Sequence, residues 1–315
     1  MRRELSREGK GLFALFIAAL AFSFNGIVSK LVLEAGLSAW RLAEIRSTGA
    51  FGFFLIYLLI FKRSALKLEI KALPEMLVYG IVGYAGVQFF YFVAIVRMPV
   101  SVGLIIEFTA PIWITLWIRF VRKKYVPRIM WLAVFLAFSG LLLIAQVWKG
   151  LTFDGIGLIA AFLDAFALTA YFLLGEKWGK RAATETLMLY GFGISMLFWW
   201  ITLPLWTYPT QILNQKIDLR GQLSGTFTEG WVLILFVIVV GTIIPYTGNL
   251  IGIYRTSASS AAIMGMLEPV FAGIFAWIWL SETFNAIQLF GAAAVIAGIY
   301  IATKARSTTQ QIVPE

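Results

Sequence analysis

Residues 254–302 read YRTSASSAAIMGMLEPVFAGIFAWIWLSETFNAIQLFGAAAVIAGIYIA. Two apolar runs, each near the roughly 20 residues a helix needs to cross a hydrocarbon core, are joined by the short polar stretch SETFN. Working outward from this pair, the same reading finds eight more runs upstream. The ten lie near 11–33, 38–61, 75–96, 99–120, 128–147, 155–175, 183–205, 231–253, 257–280 and 285–303. Most joins are short. The exception is the stretch 208–230, YPTQILNQKIDLRGQLSGTFTEG, which is too polar to span.

The composition of the whole chain agrees. Its 315 residues are 60% hydrophobic and only 13% charged, with a mean hydropathy of +0.86. A soluble fold carries roughly a quarter of its residues charged. A soluble enzyme, a disordered chain and a disulfide-stapled module are therefore excluded. The chain has no cysteine, so it has no disulfide, no thiolate metal site and no thiol nucleophile. It has no histidine, which removes the usual proton shuttle near neutral pH and the commonest metal ligand.

The net charge of +10 is informative through its placement. With the N-terminus in the cytoplasm, the inner segments hold clusters such as Lys62-Arg63, Arg122-Lys123-Lys124 and Lys180-Arg181. Of the 26 Lys and Arg residues, 19 fall on the inside and only Arg97, Lys149, Lys216 and Arg220 outside. Cytoplasmic loops collect such residues, so both termini are expected inside a cell inner (cytoplasmic) membrane. The first span is basic and then apolar like a signal peptide, but its apolar run is too long for one.

The two halves match each other. An offset of 158 residues pairs Gly83 with Gly241, Arg97 with Arg255, Ser101 with Ser259, Pro111 with Pro269 and Gly140 with Gly298. The first spans match at an offset of 144, through Gly11 with Gly155 and Ala21-Phe22 with Ala165-Phe166. Five spans per half is an odd number, so the halves insert in opposite orientations. Inverted repeats are a construction of secondary transporters, with the binding site near the midplane where the repeats meet. The expected fold is all-α integral membrane, ten transmembrane helices as two inverted five-helix repeats. The expected organisation is a cytoplasmic segment at 1–10, a first repeat at 11–147, a linker at 148–154, a second repeat at 155–303 and a cytoplasmic tail at 304–315.

The stretch 254–302 and its first-half copy GIVGYAGVQFFYFVAIVRMPVSVGLIIEFTAPIWITLWIRFV resemble the EamA domain of the drug/metabolite transporter superfamily. NGIVSK, residues 25–30, is similar to the family's first-span pattern, with an Asn five residues before a Lys. Arg46 falls where the family often places a second-span Arg. One departure is that Arg122-Lys123-Lys124 replaces the acidic residue usual after the fourth span, while the second half keeps Ser281-Glu282. The resemblance implies a carrier that moves small metabolites by alternating access, many members exporting amino acids and others drugs.

Charged residues within spans are expensive and ask for a reason. Lys30 and Arg41 sit near the outer ends of their spans, where long basic side chains can reach the headgroups. Lys30 has a functional reading as well, through the family pattern. Arg46 lies deeper, two residues from Glu44 and so on a different face. It needs a partner on another helix or an anionic group on a substrate; Arg41 and Glu44, three apart, can pair. Glu107, Asp164 and Glu268 are the deep acids, roughly 12–17 Å from the nearest helix end. Pro111 and Pro269 each remove a backbone hydrogen bond, kink the helix and free a carbonyl about one turn earlier. Glu107 faces Gly265 across the repeat and Asp164 faces Leu20. These unmatched acids are therefore candidates for proton coupling or cargo choice, with Glu268 the third; a structural role at the kink is the alternative for Glu268. Asn25, Gln88, Tyr91, Tyr246 and Asn249 are candidate substrate-binding residues, with helix-to-helix bonding the plainer reading. Gln88 and Tyr246 are repeat-matched, and Tyr246 follows Pro245. The tryptophans near span ends and the cluster Phe89-Phe90-Tyr91-Phe92 read mainly as interface and packing.

Other classes fit less well. GEKWGK at 175–180 is one residue short of a phosphate-binding loop, and a Ser–His protease needs a histidine. The expected activity is a secondary carrier exporting a small polar metabolite, an amino acid or derivative, by alternating access, with a multidrug or lipophilic-cation exporter of the same fold as the rival and a non-transport membrane protein as the remoter alternative. The expected partners are the lipid bilayer and a small-molecule substrate, with a proton as a further candidate, and no nucleic acid. No cofactor and no metal are expected, and monomer and homodimer both stay open.

Overall fold

A computed structural model describes residues 6–68, 70–98, 100–146, 154–280 and 285–312. The linker at 148–154, apart from Asp154, lies outside the described residues, as do Ser281 and Glu282. Among the described residues nine helices are long and apolar enough to span a bilayer. They are α1 (Arg7–Glu34), α2 (Ala39–Phe61), α3 (Leu73–Arg97), α4 (Val102–Val121), α5 (Arg128–Ala145), α6 (Gly155–Gly179), α8 (Gly230–Arg255), α9 (Ala258–Trp279) and α10 (Ala286–Lys304). Between α6 and α8 lies α7 (Thr184–Thr202), the tenth expected span. It is present as a helix of 19 residues with Glu185 in its first turn, and it is not among the nine.

Local chemistry sets where these helices begin. Ser6 caps α1 by accepting from the Gly9 N–H at 3.1 Å, so the helix starts at Arg7, inside the segment expected to precede it. Ser38 caps α2 and Asp154 caps α6, the latter accepting from the Gly157 N–H at 2.7 Å. Ser257 does the same for α9. Each hydroxyl or carboxylate meets a backbone donor that a helix start leaves without a partner. At the other end of the chain, helix continues to Ile312, through most of the expected tail.

The halves interlock. α1 packs along α8 and α6 along α3, so each repeat lays its first helix on the third helix of the other. α5 and α10 meet through small residues. A Cβ on Gly140 would come within 2.5 Å of the Gly291 carbonyl oxygen, and one on Gly298 within 2.8 Å of the Ala133 carbonyl oxygen. Ala133, Ala137 and Gly140 correspond to Gly291, Val295 and Gly298 at the same 158-residue offset. The contact therefore maps onto itself when the halves exchange, as an inverted repeat requires. Lipid gives helices no hydrophobic reason to associate, so close backbone approach through small residues carries such a pair.

The helices are also interrupted in matched places. Val87 N–H reaches back to the Val82 carbonyl, and Ile244 N–H to the Val239 carbonyl, five residues each. These are π-helical turns, Tyr79–Gly86 in α3 and Val239–Ile243 in α8. α4 breaks between Glu107 and Ala110, and α9 at Met266, each just before its proline. The interruptions fall within one turn N-terminal to Pro111 and Pro269, where the missing N–H has its effect.

One end of the bundle carries the ion pairs of the basic loops. Arg122 pairs with Glu176, whose other oxygen accepts from the Ala258 N–H at 3.1 Å, tying α4 and α6 to the start of α9. The basic residue that departs from the family pattern thus has an acidic partner on α6. GEKWGK is the helical end of α6, with Glu176 and Lys177 in ion pairs, so it forms no phosphate loop. At the opposite end, the polar stretch folds into a cap. A two-stranded hairpin pairs β1 (Lys216–Asp218) with β2 (Phe227–Glu229), antiparallel. It is fastened to α1 by an Arg220–Glu34 ion pair and by Gln215 donating to the Ala35 carbonyl at 3.3 Å. Trp279 of α9 donates to the Leu219 carbonyl at 2.9 Å.

The small-residue seam makes a direct prediction. Gly140→Leu must push α5 off α10, and overpacking of this kind costs about 1–3 kcal/mol. The thermal unfolding midpoint should fall by several degrees, whereas Gly52→Leu, which meets nothing within 4 Å, should leave it in place. Equal midpoints for both variants would contradict the seam.

Candidate functional site

Pro245 has no N–H, so the Gly241 carbonyl one turn earlier lacks its usual helical donor. In the π-helical turn of α8 that carbonyl is turned toward α2, where Arg46 Nη2 donates to it at 2.7 Å. Arg46 Nε donates to Thr242 Oγ1 at 2.8 Å, and Thr242 in turn donates to the Val237 carbonyl at 2.8 Å. The guanidinium also lies over the Phe92 ring, 5.3 Å from its centroid. Arg46 is therefore anchored by backbone, a hydroxyl and a ring face. Among the described residues it has no ion pair, and its Nη1 makes no hydrogen bond.

Arg46 forms one wall of a cavity at the meeting of the two halves. The cavity is small in this state, about 60 Å³, well below the several hundred Å³ typical of a small-molecule site. Asn25, Gln88, Tyr91, Glu107, Tyr246, Asn249 and Glu268 line it together with Arg46. With Arg46 they come from six helices, α1, α2, α3, α4, α8 and α9, and α6 adds Leu168, Tyr171 and Phe172.

Several of these side chains keep polar atoms unspent. Gln88 donates to the Tyr84 carbonyl at 3.0 Å, and its Oε1 is buried without a partner. Glu107 Oε2 is likewise buried and unpartnered. Asn25 accepts from Ser29 Oγ at 3.1 Å and sits where a Cβ on Gly241 would collide with it, so only glycine lets α1 approach the π-helical turn this closely. The Glu268 carbonyl accepts from Ser23 Oγ at 2.8 Å, which bonds α9 to α1 at the kink. Glu268 itself lines the cavity, within electrostatic reach of Glu107 and Arg46. Pro111 and Pro269 leave the carbonyls of Glu107 and Gly265 without their helical donors, and both residues line the cavity.

Two expected residues lie elsewhere. Lys30 is far from the cavity, its side chain 57% exposed and 4.0 Å from Glu34. Five residues along a helix is a turn of about 140°, so Asn25 and Lys30 cannot both face one cavity. Asp164 is buried but does not line the cavity; it lies within the electrostatic reach of Glu107 and Glu268, with Oδ1 unpartnered. Arg41 and Glu44 pair at 2.6 Å, and Arg41 also donates to the Leu203, Pro204 and Thr207 carbonyls at the end of α7.

Sequence reasoning missed the floor of the cavity. Tyr79, Tyr84, Tyr171, Phe192 and Tyr246 form a buried ring cluster, with neighbouring centroids 4.6–5.7 Å apart. Tyr171 and Tyr246 stand roughly 12–13 Å from the helix ends on the basic side. The cluster therefore fills the bundle between cavity and basic loops. No local signal reveals it, because its members come from four helices far apart in sequence.

The Arg46 anchor predicts a graded response. Thr242→Val removes one of two hydrogen bonds to a buried guanidinium, which should cost about 2 kcal/mol. Arg46→Lys cannot reproduce the fork geometry and should cost at least as much. Thermal unfolding of the purified variants reads both; two unchanged midpoints would mean that the anchor does not hold the helices.

The sequence profile of the EamA-like transporter family matches residues 9–146 and 155–304. Among curated proteins the chain is 23% identical to the uncharacterized transporter YdfC of Bacillus subtilis (strain 168), over 73% of this chain and 71% of that one. It is 24% identical to the threonine/homoserine exporter RhtA of Escherichia coli (strain K12), over 77% of this chain and 75% of that protein. For RhtA of Salmonella typhimurium (strain LT2) the identity is again 24%, over 91% and 88%. One solved crystal structure aligns with 95% of this chain and 98% of its own at a TM-score of 0.73 and 17% identity, a likeness of fold.

Proposed function

We propose a function from one premise: the chain belongs to the EamA-like transporter family. It is a multi-pass membrane transporter. Within that frame, our reading is a secondary carrier that exports a small zwitterionic metabolite, an amino acid or a close derivative, by alternating access. The observation that carries it is the cavity itself. Arg46 offers an unspent Nη1 to a carboxylate, while Glu107 and Glu268 offer carboxyl groups to an ammonium in the same space. RhtA relatives, described as threonine/homoserine exporters, support the same class of cargo.

The acids are the proposed coupling elements. Carboxylates gathered in a low-dielectric space repel one another, and Arg46 offsets that repulsion only at Glu268. A proton or the ammonium of the cargo can compensate them, and exchange of one for the other links proton entry to cargo exit. We place the basic loops in the cytoplasm of a cell whose cytoplasmic membrane holds the protein. The aromatic cluster then closes the inner side, and the hairpin lies outside.

A second reading has a specific observation behind it. Two lining acids, with Asp164 within their electrostatic reach, against one arginine and within aromatic walls also suit a lipophilic cation. Counterflow in proteoliposomes separates the two. Threonine or homoserine exchange that Glu107→Gln and Asp164→Asn both uncouple from a pH gradient supports the amino-acid carrier. Viologen efflux without amino-acid exchange supports the rival, and unchanged pH-driven flux in both variants refutes the coupling. Because the chain has no native cysteine, an impermeant maleimide on Lys216→Cys reports the orientation in the same vesicles.

A further inference from the structure

A second cavity, distinct from the cargo space, opens between the loop joining α2 to α3 and the loop joining α6 to α7. It has a volume of about 910 Å³. Its charged lining residues are Lys62, Lys67, Lys71 and Arg181, with Glu75 as the only acid among those described. Sequence position alone explains some lysines here, since cytoplasmic loops collect them. It does not explain walls.

The walls are built and fastened. Ala65 and Leu66 carbonyls accept from Thr186 Oγ1 at 2.8 Å and from Tyr190 OH at 2.7 Å, so α7 side chains hold the loop in place. Lys62 pairs with Glu185 at 2.7 Å, joining α2 to α7. That contact commits the Lys62 ammonium, which Glu185 holds above the ordinary lysine range. Glu75 is committed as well: Lys177 pairs with it at 2.7 Å and Trp178 Nε1 donates to it at 3.1 Å. The buried Trp178 carries the Arg181 guanidinium over its ring at 5.6 Å. This contact uses the guanidinium face and leaves its N–H edge free. Among the described residues, Lys67, Lys71 and Arg181 have neither hydrogen bonds from their charged groups nor ion pairs. Over 62–71 the sequence has four basic residues against one acid, Glu69.

A fixed cavity with three cations uncommitted among the described residues, one of them a planar fork, is suited to a multiply charged oxyanion. We propose that this cavity binds a phosphate-bearing anion and thereby links the α2–α3 loop of the first repeat to the α6–α7 loop of the second. The shared chemistry is the phosphate group, carried by an anionic phospholipid headgroup or by a soluble phosphate. Either occupant would brace the two repeats against each other at the basic face.

The test uses the full chain purified in a neutral detergent. Phosphatidylglycerol in mixed micelles and inorganic phosphate are the two probes, with the thermal unfolding midpoint as the readout. The native chain should gain several degrees from at least one probe. A response to the lipid alone identifies a headgroup, and a response to inorganic phosphate alone a soluble anion. The K67Q/K71Q/R181Q variant should lose the gain, while K123Q/K124Q, basic-face residues outside the cavity, should keep it. No gain for the native chain, or equal loss in both variants, overturns the proposal. Should the triple variant fail to fold, native mass spectrometry of Arg181→Gln replaces it. Fewer retained lipid or phosphate molecules than the native chain are then expected, and an unchanged number overturns the proposal.

Discussion

The arrangement turns on one contact, the guanidinium of Arg46 on the Gly241 carbonyl that Pro245 leaves without its helical donor. A buried arginine is costly in a bilayer unless its donors are met. A broken helix has unmet carbonyls for the same reason that it is broken. Each defect satisfies the other. Thr242 extends the contact by accepting from Arg46 and donating back to its own helix. Asn25 then fits against Gly241, where no side chain could stand. Three helices are fixed to one another around a single irregular turn, and the cavity is the space they leave.

Around that turn the scaffold is symmetric and the lining is not. The π-helical turns, the proline breaks and the glycine seam of α5 and α10 recur at matched positions in both halves. The lining departs from the match where chemistry is required. Glu107 stands opposite Gly265 and Gln88 opposite Tyr246, and behind the lining the acid Asp164 stands opposite Leu20. Two repeats of the same shape can exchange roles in alternating access, while an asymmetric lining lets the cavity tell one cargo from another. The tyrosine cluster adds a further asymmetry, since it fills only the basic side of the bundle.

Much of this was legible in the sequence, for identifiable reasons. Helix positions follow from apolar runs, because a bilayer imposes length and apolarity together. The match of Gly140 with Gly298 marks the repeat, though not that the two helices carrying them pack together. Eight candidate residues meet at the cavity because polar side chains deep in apolar helices have few other places to go. What was not legible depends on three dimensions. Arg46 asked for an acid or a cargo group by charge alone, and no pattern says that a carbonyl freed by Pro245 would lie opposite. Lys30 was misplaced although helical geometry already turns it away from Asn25. The hairpin at 216–229 has strands of three residues each, too short for alternation to mark them. Tyr79, Tyr84, Tyr171, Phe192 and Tyr246 converge only once the helices have packed.

The central claim is that cargo occupies the cavity beside the Arg46 anchor. The most direct measurement is the rate at which a thiol reagent modifies Asn249→Cys in the otherwise cysteine-free chain, with and without an amino-acid cargo. Occupancy of the cavity should slow that rate several-fold while leaving a cysteine at Lys216 on the hairpin unaffected. An unchanged rate at position 249, under conditions where the same cargo is transported, would contradict the claim.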